Sequence, residues 1–273
     1  MGEPVIQLEW GAASDRGLKR KANEDSYLAS PPVFLVADGM GGHEAGAVAS
    51  AAAVGAFARL AGRESVDLDE LEAAFAVAVH EVRSIRTARR APGTTVTGVA
   101  VSEHHGEAYW IVLNIGDSRT YLLSGGRLRQ VSVDHSAVQP LIEAGVISES
   151  EAERHPERSV VTRAVGAGSL AQPDYWMLPA TRGDRLLLCS DGLTKEVAVT
   201  RIAGVLAEEA TPQSAADRLI AEALAGGGRD NVTVVVIDAL NVTATEDDPT
   251  SPAGSEAVDD DTRPRSELGR ERI

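Results

Sequence analysis

The chain has one cysteine, Cys189, in 273 residues. A single thiol excludes an intramolecular disulfide framework and any cysteine-based zinc cluster. Histidine is sparse as well. His43, His80, His104, His105, His135 and His155 form neither an HxH nor an HxxxH pairing, which disfavours a zinc hydrolase. No uninterrupted apolar run approaches the ~20 residues of a membrane span. The opening stretch, MGEPVIQLEWG, lacks the basic and apolar regions of a signal peptide. The expectation is a soluble, cytoplasmic protein. Lysine occurs only at Lys19, Lys21 and Lys195, and this preference for Arg, with abundant Ala and Gly, fits a GC-rich bacterial genome.

Positive charge is in deficit overall: 26 Lys and Arg stand against 41 Asp and Glu, a formal net charge of −15. Such a field repels nucleic acid and anionic membranes, so neither is an expected partner. The acids must still be placed somewhere. A carboxylate-lined cleft for divalent cations is one location and a solvated tail is another.

Apolar residues make up 43% of the chain, enough for one large domain or two small ones. Strand-like runs rich in β-branched and aliphatic residues lie at 5–10, 33–37, 94–102, 107–115, 120–124, 128–131, 175–178, 185–189 and 232–239. Short turns at 103–106 and 124–126 favour antiparallel hairpins. Helical spacing appears at 43–60 and 68–89, and again at 200–209 and 212–224, where Thr211 is the expected N-cap and Pro212 opens the first turn. Strand runs associated with helix pairs predict an α+β fold, a central antiparallel β-sandwich flanked by helix pairs in four layers (α-β-β-α). The polar stretch 136–165, with Pro140 and Pro156 and two short helical segments, reads as a flap insertion or as a plain surface elaboration. The catalytic domain is expected over 1–240. From 241 to 273 the chain turns acidic and Pro-containing with scarcely a large apolar residue, the composition of a disordered tail.

The chemistry lies at the strand ends. Asp38-Gly39 follows the run 34–37, Asp117 follows 111–116, Asp191-Gly192 follows 186–190, and Asp230 directly precedes 232–237. Taken singly, each is an ordinary turn signal, because Asp caps a turn and Gly accepts positive φ. Four in one sheet protein point to a shared site. Converging carboxylates need a counter-charge, and an all-oxygen donor set selects Mg²⁺, Mn²⁺ or Ca²⁺ over zinc or copper. Waters held by such ions become nucleophiles near neutral pH, so phosphate-ester hydrolysis is the leading reaction. Upstream, a basic cluster reaching Arg20 precedes Glu24-Asp25. A guanidinium can hold two phosphate oxygens with parallel hydrogen bonds; alone, the stretch is also readable as a solvated charged loop.

In order along the chain stand Arg20-x-x-x-Glu24-Asp25, Asp38-Gly39-Met40-Gly41-Gly42-His43, Gly93-Thr94-Thr95, Gly116-Asp117-Ser118-Arg119, Ser190-Asp191-Gly192 and Arg229-Asp230-Asn231. This set resembles the metal-dependent protein phosphatases of type 2C, in particular their bacterial branch, over about 14–237. The resemblance implies the four-layer sandwich and a serine/threonine protein phosphatase using two, or with a further site three, Mg²⁺ or Mn²⁺ ions. It implies that Asp38 bridges two ions, that the Gly39 carbonyl ligates one, and that Asp191 and Asp230 complete the first shell. Glu24 and Asp25 lie beside the second ion, and Asp117 with Asp191 serves a third. Arg20 clamps the substrate phosphate, and a hydroxide bridging the metals attacks phosphorus directly, with no phosphoenzyme. The implied partners are phosphoproteins, including Ser/Thr protein kinases and their substrates, met by a monomer. In some eukaryotic relatives a histidine directly follows the Asp-Gly as general acid. Met40 occupies that position here, so His43 or a metal-held water is the candidate donor, and His43 is equally readable as a helix cap.

Two alternatives stay open: a phosphatase dedicated to an anti-sigma-antagonist regulator, and an inactive domain that binds phosphoproteins. A metal-dependent nuclease would need a basic surface that this composition lacks. Cys189, inside an apolar run, reads as core. Asp134-His135-Ser136 reads as a chance sequence neighbourhood and not as a triad.

Overall fold

Successive side chains of a strand point to opposite faces, so the central strands, apolar on both, put two different cores on the two sides of each sheet. In the computed structural model, which describes residues 6–41, 44–85, 91–152, 154–166 and 172–242, one sheet runs β1(Ile6–Asp15)–β11(Val232–Val242)–β10(Arg185–Cys189)–β7(Arg119–Ser124)–β8(Arg127–Gln130). The other runs β2(Asp25–Ser30)–β3(Val33–Met40)–β5(Val96–His104)–β6(Glu107–Ile115)–β9(Asp174–Pro179), with β4(Gly93–Thr94) paired to the end of β3. Every pairing is antiparallel.

The period of two sorts the residues. Phe34 and Val36 of β3, Trp110 and Val112 of β6, Leu186 and Leu188 of β10, and Val235 and Ile237 of β11 meet between the sheets. Their neighbours Leu35, Leu113 and Ile115 point instead at α1(Glu44–Ala58) and α2(Leu68–Ser84). Leu187, Cys189, Val234 and Val236 point at α5(Asp191–Thr194), α6(Val199–Glu208) and α7(Pro212–Gly226). The expected α-β-β-α order therefore holds. Each fully buried aliphatic or aromatic side chain contributes about 1.5–3 kcal/mol. Trp110, fully buried between the sheets, also satisfies its indole by donating to Asp184 Oδ2 at 3.1 Å.

Local signals account for most boundaries. The β5–β6 hairpin turns through His105 and Gly106, both at positive φ (55° and 83°), as a two-residue turn demands. Thr211 caps α7 and accepts from Ser214 N, with Pro212 in the first turn, as expected. Asp67 and Glu70 form a capping box on α2.

Three expectations are corrected. The helix expected over 68–89 ends at Ser84: Ser84 turns its hydroxyl back onto the His80 carbonyl at 2.8 Å, and Ile85 is extended. The 86–90 part lies outside the described residues. Edge strand β2 was not expected; its partly exposed face carries little apolar alternation. The last strand, expected over 232–239, continues through Val242, because β1 pairs with it as far as that residue. The remainder of the expected tail, 243–273, and His43 lie outside the described residues.

The segment between β8 and β9 carries two short helices, α3(Gln139–Glu143) and α4(Glu149–Ala152). Its base is tied down by bridges between Ser136 and Val161 and between Val165 and Thr94.

Candidate active site

The acids come together where β2, β3, β6, β10 and β11 end. Asp25 and Asp38 are register partners across β2–β3, so their side chains share one face. The second sheet closes over them: Ser190 Oγ and Thr233 Oγ1 donate to Asp25 Oδ2 at 2.8 and 2.7 Å. Ser190 stands at the N-cap position of α5, yet its hydroxyl goes to Asp25 and makes no cap bond. Asp38 is held through its backbone. Its N–H donates to Thr95 Oγ1 at 3.0 Å, and its carbonyl accepts from Thr95 N and Thr94 Oγ1 at 2.9 Å each. Thr95 Oγ1 shares a further hydrogen bond of 2.7 Å with Ser118 Oγ, joining the Asp38 strand end to the Asp117 turn.

Backbone closeness at Gly39 fixes its residue type. A Cβ there would meet the carbonyl oxygens of Gly46 and Glu24 at 2.3 and 2.5 Å. A Cβ at Gly46 would meet Glu24 Oε2 at 2.1 Å. The two glycines let the first turn of α1 lie directly on the strand end, and Ser50 of α1 donates to the Glu24 carbonyl at 2.6 Å.

Electrostatics set this cluster apart from ordinary turns. Burial drives Asp38 well above the usual carboxylate range, and Asp25, Asp191, Asp117 and Asp230 push it further. Burial also raises Asp25 to about 7, against the hydroxyls of Thr233 and Ser190 and with help from Asp191 and Asp230. Asp117 is raised to about 7 by burial, then by Asp191 and Asp134, with Lys195 opposing. Asp191 is raised by burial although Lys195 lies against it. For Asp230, burial is outweighed by Lys195 and Arg20, which hold it below the usual range. Asp25 Oδ1 and Asp191 Oδ1 are buried without a hydrogen-bond partner, which leaves two oxygens open to a cation.

Two cationic side chains are bonded to the cluster. Arg20, half exposed at the rim, reaches Asp230 Oδ1 at 2.8 Å. Lys195 contacts Asp191 Oδ2 and lies 3.2 Å from Asp230 Oδ2. Among the described residues, no three Asp, Glu, His or Cys groups form a ready cage for an ion. The acids are near enough to shift one another's pKa, and Lys195 bonds Asp191 and Asp230.

The structure thus gathers Asp25, Asp38, Asp117, Asp191 and Asp230, with Gly39 and Glu24 beside them and Arg20 at the rim. It also gives a role to residues that the sequence motifs left without one. Ser190 and Thr233 hold Asp25. Asn231 accepts from Glu24 N at 2.8 Å and donates to the carbonyls of Arg16 and Ala22 at 2.8 and 2.9 Å, fastening the loop that carries Arg20 and Glu24. Lys195 was legible in principle: it lies four residues after Asp191, the spacing at which a helix brings opposite charges together.

The Asp134-His135-Ser136 run splits three ways. Asp134 takes Arg119 in a two-pronged pair at 2.7–3.0 Å. His135 Nδ1 accepts from Gly116 N at 3.1 Å, which leaves Nε2 to donate to Asp174 at 3.0 Å. Ser136 Oγ is buried without a partner. No triad forms. Cys189 is core, its thiol pushed up to about 12 by burial, which removes it as a nucleophile.

The two packed sheets thus hold a buried acid cluster at one rim, with an arginine beside it. A family model for protein phosphatase 2C matches residues 20–225, and the chain belongs to that family. The serine/threonine protein phosphatase PstP of Mycobacterium tuberculosis is 40% identical over 277 residues, covering 99% of this chain and 52% of its own length. The chain thus spans about half the length of that relative. The serine/threonine phosphatase stp of Listeria monocytogenes is 35% identical over 240 residues, covering 82% of this chain and 93% of its own. A crystal structure of the M. tuberculosis phosphatase PstP/Ppp superposes with a TM-score of 0.79 at 41% identity, covering 85% of this chain and 98% of that one. The catalytic domain of PstP in complex with two manganese ions gives a TM-score of 0.77 at 38% identity, covering 86% and 99%.

Proposed function

We propose that the chain is a metal-dependent serine/threonine protein phosphatase that hydrolyses phosphoserine and phosphothreonine on proteins. The observation that carries this reading is the set of buried carboxylates with two unpartnered oxygens, beside Arg20. The donor set is all oxygen, which fits Mg²⁺ or Mn²⁺. Asp38 would serve both of the first two ions and the Gly39 carbonyl one of them; Asp191 and Asp230 would complete the first, Glu24 and Asp25 would lie beside the second, and Asp117 with Asp191 would serve a third. When bound, such ions lower the pKa of water and neutralise phosphoryl charge.

The chain's own residues do the rest. Arg20 holds the substrate: a guanidinium carries five donors, so it can keep Asp230 and still bond phosphoryl oxygens. Charge that develops on those oxygens is met by the same group. The hydroxyls of Ser190, Thr233, Thr95 and Ser118 keep Asp25, Asp38 and Asp117 in place without offering a proton sink. The reading includes a domain over 1–240 with 136–165 as a flap that discriminates between substrates. It also includes phosphoproteins of Ser/Thr kinase signalling as partners, a cytoplasmic location and a monomeric state. The net charge of −15 supports a partner that is neither nucleic acid nor anionic membrane, and among the described residues no helix is long and apolar enough to cross a membrane.

The test is hydrolysis of phosphoserine, phosphothreonine and phosphotyrosine peptides with Mn²⁺ or with excess EDTA. Mn²⁺-dependent release of phosphate from the first two is expected, and Asp38→Ala should abolish it while the fold survives. Activity undiminished by EDTA, or retained in Asp38→Ala, would sink the reading. Inactivity of the intact chain toward every peptide would favour a binding domain instead.

A further inference from the structure

We infer that Lys195 is a tethered cation of the acid site, which competes with a divalent ion for Asp191 and Asp230 and so sets how tightly the chain takes up metal. The inference rests on the metal-dependent reading above. Lys195 directly follows the short helix α5, which Asp191 opens. Its N–H donates to the Asp191 carbonyl at 2.9 Å, so one helical turn returns its stem over the Asp191 side chain.

The backbone is also held from the opposite side. Arg229 pairs with Glu196, the next residue, at 2.8 Å, and its Nη2 reaches the Lys195 carbonyl at 3.5 Å. This anchoring leaves the four-carbon stem aimed into the site. The ammonium contacts Asp191 Oδ2 and lies 3.2 Å from Asp230 Oδ2. It bonds two of the carboxylates that the reading assigns to the first ion.

Lys195 holds Oδ2 of Asp191 while Oδ1 is unpartnered, so a divalent ion entering at Oδ1 shares its carboxylate with an ammonium, and the two cations repel across it. Metal uptake therefore weakens the Lys195 contact or pushes it outward. With its side chain about one-third exposed, Lys195 has room to move. A merely structural salt bridge would act with the opposite sign. If Lys195 served to hold Asp191 and Asp230 in place for metal, removing it would weaken binding.

The experiment is calorimetric titration of Mn²⁺ into the EDTA-stripped, desalted chain at pH 7.5, comparing wild type with Lys195→Met, Lys195→Gln and Lys195→Arg. A neighbouring charge changes a carboxylate's proton affinity by about tenfold or more, and the same field acts on a divalent ion. The Met and Gln variants are therefore expected to bind Mn²⁺ about tenfold more tightly, and the Arg variant to stay near wild type. The melting temperature of the stripped Met variant should fall below wild type, so that its rise on adding Mn²⁺ is larger. Gln keeps the polarity and stands in if Met fails to fold. Equal or weaker Mn²⁺ binding by the folded neutral variants, with wild type binding normally, overturns the role of Lys195 alone. Absence of Mn²⁺ binding by wild type overturns the metal-dependent reading with it.

Discussion

Asp25 and Asp38 face each other as register partners across β2 and β3, and burial raises the pKa of both. Two acids that favour protonation in the fold tie stability to pH. Asp25 and Asp117 ordinarily titrate near 3.8 and are raised to about 7 here. A raised folded pKa means the native state binds protons more tightly than the unfolded chain. The resulting stabilisation is full below about 4 and is lost as pH rises through about 7. In EDTA, Asp25→Asn should therefore melt higher than wild type at pH 8, with the gain vanishing near pH 4. Each kcal/mol gained appears as about 2–4 °C. Scanning fluorimetry across pH checks this, and a variant that is less stable at pH 8 would contradict it.

Arg20 lies at the rim with a carboxylate already bonded to it. Arg20→Ala should lower kcat/KM on a phosphothreonine peptide by about 10²-fold, the scale for removing one preorganised charge donor. Arg20→Lys should recover only part, because a point charge lacks the planar two-pronged fork. Steady-state kinetics at saturating Mn²⁺ decides the matter; full recovery by Lys would show that charge alone suffices.

Asn231 joins three backbone groups of the loop ahead of β2, at Glu24, Arg16 and Ala22. Asn231→Ala leaves those groups without their side-chain partner and should cost about 2–4 kcal/mol of stability. Because the same loop presents Arg20 and Glu24, a higher Mn²⁺ requirement is expected alongside. Urea titration and an activity curve against Mn²⁺ test the two parts separately.

Gly39→Ala should be poorly tolerated, since all the nearest atoms to a new Cβ are backbone, at 2.3–2.5 Å. Overpacking costs typically about 1–3 kcal/mol, and rigid backbone neighbours put this site at the upper end. Gly55→Ala, within α1 and with nothing within 4 Å, is the control and should be neutral or stabilising. Equal melting temperatures for the two variants would refute the close-approach argument.

The runs 107–115 and 185–189 are strands to the residue, because their β-branched and aliphatic composition and flanking turns are local properties. The strand Asp25–Ser30 was missed, since an edge strand with a half-exposed face carries little of that pattern. The short helix Asp191–Thr194 was missed because four residues are too few to establish a period. Within the site, each acid at a strand end was visible. Its partners were not: Ser190 and Thr233 lie 165 and 208 positions from Asp25, and Asn231 lies 207 from Glu24. Nothing in a linear pattern links residues so far apart.

The sequence by itself determined the layer order, the hairpins, the caps and the residue types at each strand end, since these depend on side-chain period and backbone freedom over a few neighbours. Only the tertiary structure decided which acids share one buried space, which of them are pushed toward neutrality, and that a lysine lies among them. Those properties follow from burial and from charge separations across two packed sheets, and such distances exist only once the sheets have met.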